Sequence, residues 1–172
     1  MKKFLVLFLT LMMTAVLSVA FSVAEEMPME GPPYAVGMVA KGIVAKDADG
    51  KDVDLLSVGE KGKKAIMFTN TACSACKEAL RIVQSAVPGK ADLIVVATDF
   101  GSFDRISAYK EANHFGGAWF QDADFASPQL FNFSFTPAVV VMEKGGKVLL
   151  AHGGFNKRRT ADFEKAVADA VK

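Results

Sequence analysis

The chain has 172 residues, a formal net charge of +1 and only two cysteines, and hydrophobic residues make up 51% of it. That length suits one domain with a substantial core, and the near-balanced charge lacks the basic field of a nucleic-acid binder. The apolar content also excludes a chain that is disordered throughout.

Lys2 and Lys3 precede an uncharged apolar run from Phe4 to Ala24, which is the pattern of a secretory signal peptide. The small residues of Ser22-Val23-Ala24, directly before Glu25-Glu26, put the expected cleavage after Ala24. The same run is long enough for an uncleaved anchor, because about 20 apolar residues cross a bilayer. Either outcome places the rest in the periplasm or otherwise outside the cytoplasm, membrane-anchored if the segment stays. Without Lys2 and Lys3 the net charge becomes slightly negative. The expected organisation is a signal segment over 1–24, a proline- and acid-rich leader over 25–37, and one domain over 38–172 with no internal repeat.

Asp49-Gly50 separates two short alternating segments and predicts a hairpin with its turn near Ala48 to Lys51. A short helical turn is expected over 55–61. The apolar run Ala65 to Asn70 reads as a central strand that ends just before Cys73. From Ser74 to Ala86, Ala75, Ala79, Leu80 and Val83 recur at helical spacing, and Pro88-Gly89 ends the helix. Asp92 to Asp99 is almost continuously apolar, as an inner parallel strand covered on both faces should be. Ser102 or Asp104 is positioned to cap a helix over 105–114. A short strand near 118–121 and a helical turn near 128–133 follow. Strands over 138–142 and 148–153 flank a turn at Gly145-Gly146, and a final helix covers 159–171. A hairpin, then βαβα, then antiparallel ββα predicts an α/β fold, a three-layer α/β/α sandwich around a mixed sheet.

Cys73-Ser74-Ala75-Cys76 is the chemical signal in this pattern. A disulfide across so few residues closes too small a loop to staple a domain, so a redox-active pair explains the cysteines better. The pair follows a buried strand and opens a helix, where free backbone N–H groups and the helix dipole favour a thiolate at Cys73. Cys76, one turn onward, is expected to be buried and to resolve the mixed disulfide. The competing reading is half of a zinc site; His114 and His152 are the only histidines and stand far from the pair in sequence, with no second cysteine pair. No metal or organic cofactor is expected, and no nucleotide-binding glycine signature is present. Lys77 and Glu78 adjoin Cys76; Glu78 is a candidate for proton transfer, weighed against a solvated surface role. Asn70 is read first as a turn residue and second as one that orients the loop.

Cys73-Ser74-Ala75-Cys76 and "FTPAVVV", Phe135 to Val141, together resemble the thioredoxin superfamily over roughly 39–171. The "DADGKDVDL" hairpin and the long segment between Cys76 and Pro137 look most like its exported TlpA and ResA, or redoxin-like, branch. That resemblance implies a thioredoxin-like domain with an N-terminal hairpin, Cys73 as nucleophile and Cys76 as resolving cysteine. It also implies a substrate groove formed by Thr136, a cis-proline at Pro137 and a glycine turn at Gly153 or Gly154. Thr71-Ala72 replaces the usual tryptophan approach, no proline separates the cysteines, Met67 stands where thioredoxins proper carry a buried acid, and Glu78 is one position short of a familiar acidic residue.

The implied function is extracytoplasmic thiol-disulfide exchange, foremost reduction of client protein disulfides. Its partners would be clients with cysteines or disulfides and an upstream redox partner, soluble or membrane-bound. The alternatives are a disulfide oxidase or isomerase, and a non-enzymatic redox sensor or client-binding module that uses aromatics such as Trp119, Phe120, Phe131 and Phe135.

Overall fold

The computed structural model describes residues 31–172, so the expectations on the signal segment and on the start of the leader lie outside the described residues. The strands are β1 (Val44–Lys46), β2 (Asp52–Asp54), β3 (Lys63–Thr69), β4 (Asp92–Ala97), β5 (Ala118–Gln121), β6 (Ala138–Glu143) and β7 (Val148–Gly153). The helices are α1 (Ser74–Ala86), α2 (Phe103–Ala112), the short α3 (Ala126–Gln129) and α4 (Thr160–Ala170), with single 3-10 turns at Leu55–Ser57 and Lys157–Arg159.

The seven strands form one mixed sheet in the order β2-β1-β5-β4-β3-β6-β7. β3, β4 and β5 are parallel, while β6 runs antiparallel to β3 and β7 antiparallel to β6. β1 joins through a single pairing of Lys46 with Gln121, which attaches the N-terminal hairpin to the main sheet. This is the expected α/β/α architecture.

The chain steps from β3 to β4 to β5 in one direction across the sheet. Two right-handed crossovers in the same direction put both connecting helices on the same face. Ala79, Leu80 and Val83 of α1, Ile106 of α2 and Phe163 and Val167 of α4 accordingly share one core with Ala65, Met67, Val95 and Val139. The opposite face, with Ile66, Phe68, Ile94 and Val140, is covered by Tyr34, Ile43, Leu55 and Phe131. The long helices therefore all lie on one side, and the leader, the hairpin connection and the segment around α3 make the other layer.

Several boundaries differ from expectation. β3 begins at Lys63 because Lys63 and Lys64 pair with Glu143 and Met142. The Lys64 side chain is fully buried and donates from its ammonium to the Val58 carbonyl. β4 stops at Ala97, which leaves Thr98 and Asp99 beyond its end. Ser102, not Asp104, caps α2, accepting from the Asp104 amide at 3.1 Å, so the helix starts at Phe103. The helical turn expected over 128–133 starts at Ala126, because the Asp122 carboxylate accepts from the amides of Ala126 and Ser127 at 3.1 and 2.6 Å. From Gly31 onward the leader lies along the domain: the Tyr34 amide donates to the Leu130 carbonyl, and Val148 exchanges bonds with Gly37 and Met38 at 2.8 Å each.

Candidate active site

β3 delivers the chain to the edge of the sheet where Asn70, Thr71 and Ala72 lead into α1. Three successive amides from Thr71 to Cys73 have defined acceptors. Thr71 N donates to Asp99 Oδ2 at 2.9 Å, Ala72 N to Asn70 Oδ1 at 3.0 Å, and Cys73 N to the Asn70 carbonyl at 3.1 Å. Asn70 thus orients the loop as well as making the turn.

Cys73 is the N-cap of α1, and its Sγ accepts from the Cys76 amide at 3.1 Å. The sulfur sits where the first turn of the helix presents unpaired N–H groups, a setting that stabilises negative charge on it when reduced. The two cysteines are joined in a disulfide. Cys73 is partly exposed and Cys76 is fully buried, so only the first is open to an incoming sulfur.

Thr136–Pro137 is a cis peptide that enters β6. Ala138 pairs with Phe68, so Pro137 stands across from the end of β3 at the same sheet edge as the cysteine loop. Gly153 pairs with Ala138, and the amide of Gly154 donates to the Pro137 carbonyl at 2.7 Å. The topology therefore gathers Cys73, Thr136, Pro137, Gly153 and Gly154 at one edge. A Cβ on Gly153 would lie 3.0 Å from the Phe133 ring, and one on Gly154 3.2 Å from the Phe135 ring, so the glycine turn makes room for two aromatics. Two shallow concavities flank that turn. One, of about 310 Å³, is lined by Phe131, Phe133, Phe135 and Gly153; the other, of about 420 Å³, by Phe135, His152, Phe155 and Phe163.

Phe135 itself is 61% exposed, and Phe100, just past the end of β4, is 77% exposed. Trp119, Phe120 and Phe131 are instead buried in the two cores. Glu78 bonds to Lys157 of the turn before α4, 3.1 Å away. His152 packs edge-on against Phe163 with ring centroids 5.2 Å apart. His114 lies past α2, on the way to the start of β5 and so at the sheet edge opposite Cys73. Among the described residues no three histidine, cysteine or acidic side chains cluster as a metal site, and no helix is long and apolar enough to cross a membrane.

Sequence reasoning missed Asp99. Its side chain is almost wholly buried, at 2% exposure, and both carboxylate oxygens accept from Thr71. The available signal was a carboxylate at the carboxyl end of a run read as an inner parallel strand, the edge at which open α/β sheets place their sites.

No family model matches the chain, and no curated protein matches it. Solved structures do. A proposed thiol:disulfide interchange protein DsbE from Chlorobium tepidum aligns with a TM-score of 0.65 at 19% identity, covering 80% of this chain and 99% of that one. The thioredoxin domain of a thiol-disulfide oxidoreductase from Bacteroides vulgatus aligns at 0.62 and 20% identity, covering 81% and 99%. A secreted disulfide oxidoreductase from Mycobacterium tuberculosis aligns at 0.57 and 16% identity, covering 73% and 94%. These likenesses establish a thioredoxin-like fold.

Proposed function

We propose that this thioredoxin-like protein is an extracytoplasmic thiol-disulfide oxidoreductase of the TlpA and ResA kind, which reduces disulfides of client proteins through Cys73 and Cys76. The observation that carries the reading is the asymmetry of the pair: a partly exposed sulfur at the N-terminus of α1 and a buried one a turn behind it, bonded to each other.

In the reducing direction the Cys73 thiolate attacks one sulfur of a client disulfide. The client S–S bond breaks, a Cys73–client mixed disulfide forms, and the departing client thiolate takes up a proton. Cys76, deprotonated, then attacks Cys73 Sγ, forming the internal disulfide and expelling the second client thiolate, which is protonated in turn. The net transfer is two electrons and two protons from the pair to the client. A dithiol partner upstream, soluble or membrane-bound, restores the reduced pair by the same exchange. Thr136 and Pro137, beside Gly153, form the edge against which an extended client segment would lie. Exchange requires no bound cofactor.

The export signal expected over Phe4 to Ala24 supports an extracytoplasmic setting. Equilibration of the purified domain with glutathione buffers gives the reduction potential of the couple. A value near the thioredoxin reference of about −270 mV supports a reductase, and one near about −120 mV supports a disulfide donor instead. Reduction of insulin by the dithiol form tests the activity itself. The exposed Phe135 beside Thr136 favours a second reading, a client-binding module whose cysteines sense redox state; retained client capture with no exchange would select it.

A further inference from the structure

The loop that carries Cys73 is held from outside chiefly by one carboxylate. Asp99 lies beyond the end of β4, 28 residues from Thr71, yet its carboxylate accepts the Thr71 amide on both oxygens, at 3.2 and 2.9 Å, and the Thr71 hydroxyl as well. Arg105 of α2 reaches the same oxygen at 3.4 Å and the Thr71 hydroxyl at 3.5 Å. The backbone of this segment is pinned too: Gln121 donates to the carbonyls of Asp99 and Gly101 at 2.7 and 3.0 Å, and Thr98 N to the Thr69 carbonyl at 2.8 Å. The carboxylate therefore has little freedom to move. Thr71 precedes Cys73 by two residues, so their Cα atoms are at most about 7.6 Å apart.

We propose that Asp99 is a positioning residue for the Cys73–Cys76 couple: through Thr71 it fixes the loop that presents Cys73 Sγ, and its charge, balanced by Thr71 and Arg105, sets how readily the Cys73 thiolate forms. A buried carboxylate bonded to the loop two residues before a thiol disfavours a second negative charge there, and the hydroxyl and guanidinium that share it reduce that penalty. Three substitutions therefore act in opposite directions. Asp99→Asn removes the charge but keeps an acceptor for Thr71, so more of Cys73 is thiolate. Thr71→Val and Arg105→Gln leave the charge less balanced, so less of it is. The other ionisable groups on the surrounding elements are Lys77, Glu78 and Arg81 of α1, Asp104, Tyr109, Lys110 and Glu111 of α2, Lys157 paired with Glu78, and His152 of β7; all stay unchanged in these variants.

The test is the rate of iodoacetamide alkylation of Cys73 near neutral pH in a Cys76→Ser background, with near-ultraviolet circular dichroism to confirm native packing. The rate follows the thiolate population. Asp99→Asn is expected to raise it at least threefold, and Thr71→Val and Arg105→Gln to lower it at least twofold. In the two-cysteine protein, Asp99→Asn should shift the glutathione equilibrium toward the dithiol form. Rates all within twofold of the parent, or all moved in one direction, would overturn the proposal. Should Asp99→Asn fail to fold, Arg105→Gln decides alone, since that side chain is 66% exposed and its loss leaves the core intact. The proposal rests on Cys73 being the exchanging sulfur, but alkylation needs no client. A wild-type protein that reduces no disulfide would remove the exchange reading, while the pattern among the variants would still judge Asp99.

Discussion

The amide of Cys76 donates to the sulfur of Cys73 at 3.1 Å, so the residue proposed to resolve the exchange also holds the sulfur proposed to begin it. A backbone donor survives side-chain substitution. Cys76→Ser should therefore leave Cys73 nucleophilic and unable to be released. That variant is expected to accumulate a Cys73–client mixed disulfide, visible by non-reducing electrophoresis and mass spectrometry, whereas Cys73→Ser should lose exchange by at least a hundredfold and accumulate none. Equal trapping by both variants would sink the assignment of roles.

Phe135 stands immediately before Thr136–Pro137 with most of its ring in solvent. If it receives an apolar side chain of the client, Phe135→Ser should raise KM for insulin severalfold and leave reaction with a small aromatic disulfide within twofold. A parallel loss on both substrates would instead mean that the ring supports the sulfur site.

Glu78 and Lys157 form an ion pair with side chains 41% and 65% exposed. Pairs this open contribute about 0–1 kcal/mol. Glu78→Gln is expected to change thermal stability little and the exchange rate by less than twofold. A tenfold loss of rate with an altered pH profile would instead support Glu78 as a proton-transfer group.

Gly146 turns the β6–β7 hairpin at φ +88°, and a Cβ there would lie 2.5 Å from the Ala40 carbonyl oxygen. Both the left-handed backbone and the contact with main chain oppose a side chain. Gly146→Ala should cost about 2 kcal/mol, read as a lower midpoint in urea with exchange activity retained at low temperature. An unchanged midpoint would show that the backbone at Ala40 yields freely.

Asp169, near the end of α4, has its carboxyl lowered to about 2 by hydrogen bonds from Lys165 and Lys172. A carboxyl depressed in the folded state adds stability above its unfolded value, near 4, and loses it as pH falls toward 2. Nuclear magnetic resonance titration should find its midpoint well below those of unpaired aspartates, and Lys165→Ala should move it back up. The carboxyl faces solvent, so high salt should have a similar effect.

Much of this architecture was legible in the sequence because it is local. The run into Cys73, the helical spacing from Ser74 and the glycine turn between the last strands each depend on neighbouring residues, whereas the cis Thr136–Pro137 entry to β6 was expected from the family resemblance. What was hidden depends on register. Asp99 meets Thr71 only because β3 and β4 pair so that Thr69 lies beside Ala97, which brings the residues just beyond both strands together. The placement of α1, α2 and α4 on one face likewise follows from strand order, which periodicity does not reveal. The early start of α3 came from Asp122, a side chain outside the helix that supplies acceptors for its first amides.

The seat of the leader bears on how the molecule avoids its own kind. An open sheet has two rims, and a bare rim invites another chain to add a strand. At one rim, Val148 spends both its amide and its carbonyl on Gly37 and Met38, which shortens the length of β7 left bare. At the other, β2 is three residues long with an aspartate at each end. A strand added by another copy thus finds a short, charged template at β2, and at β7 finds free backbone only from Leu149 onward.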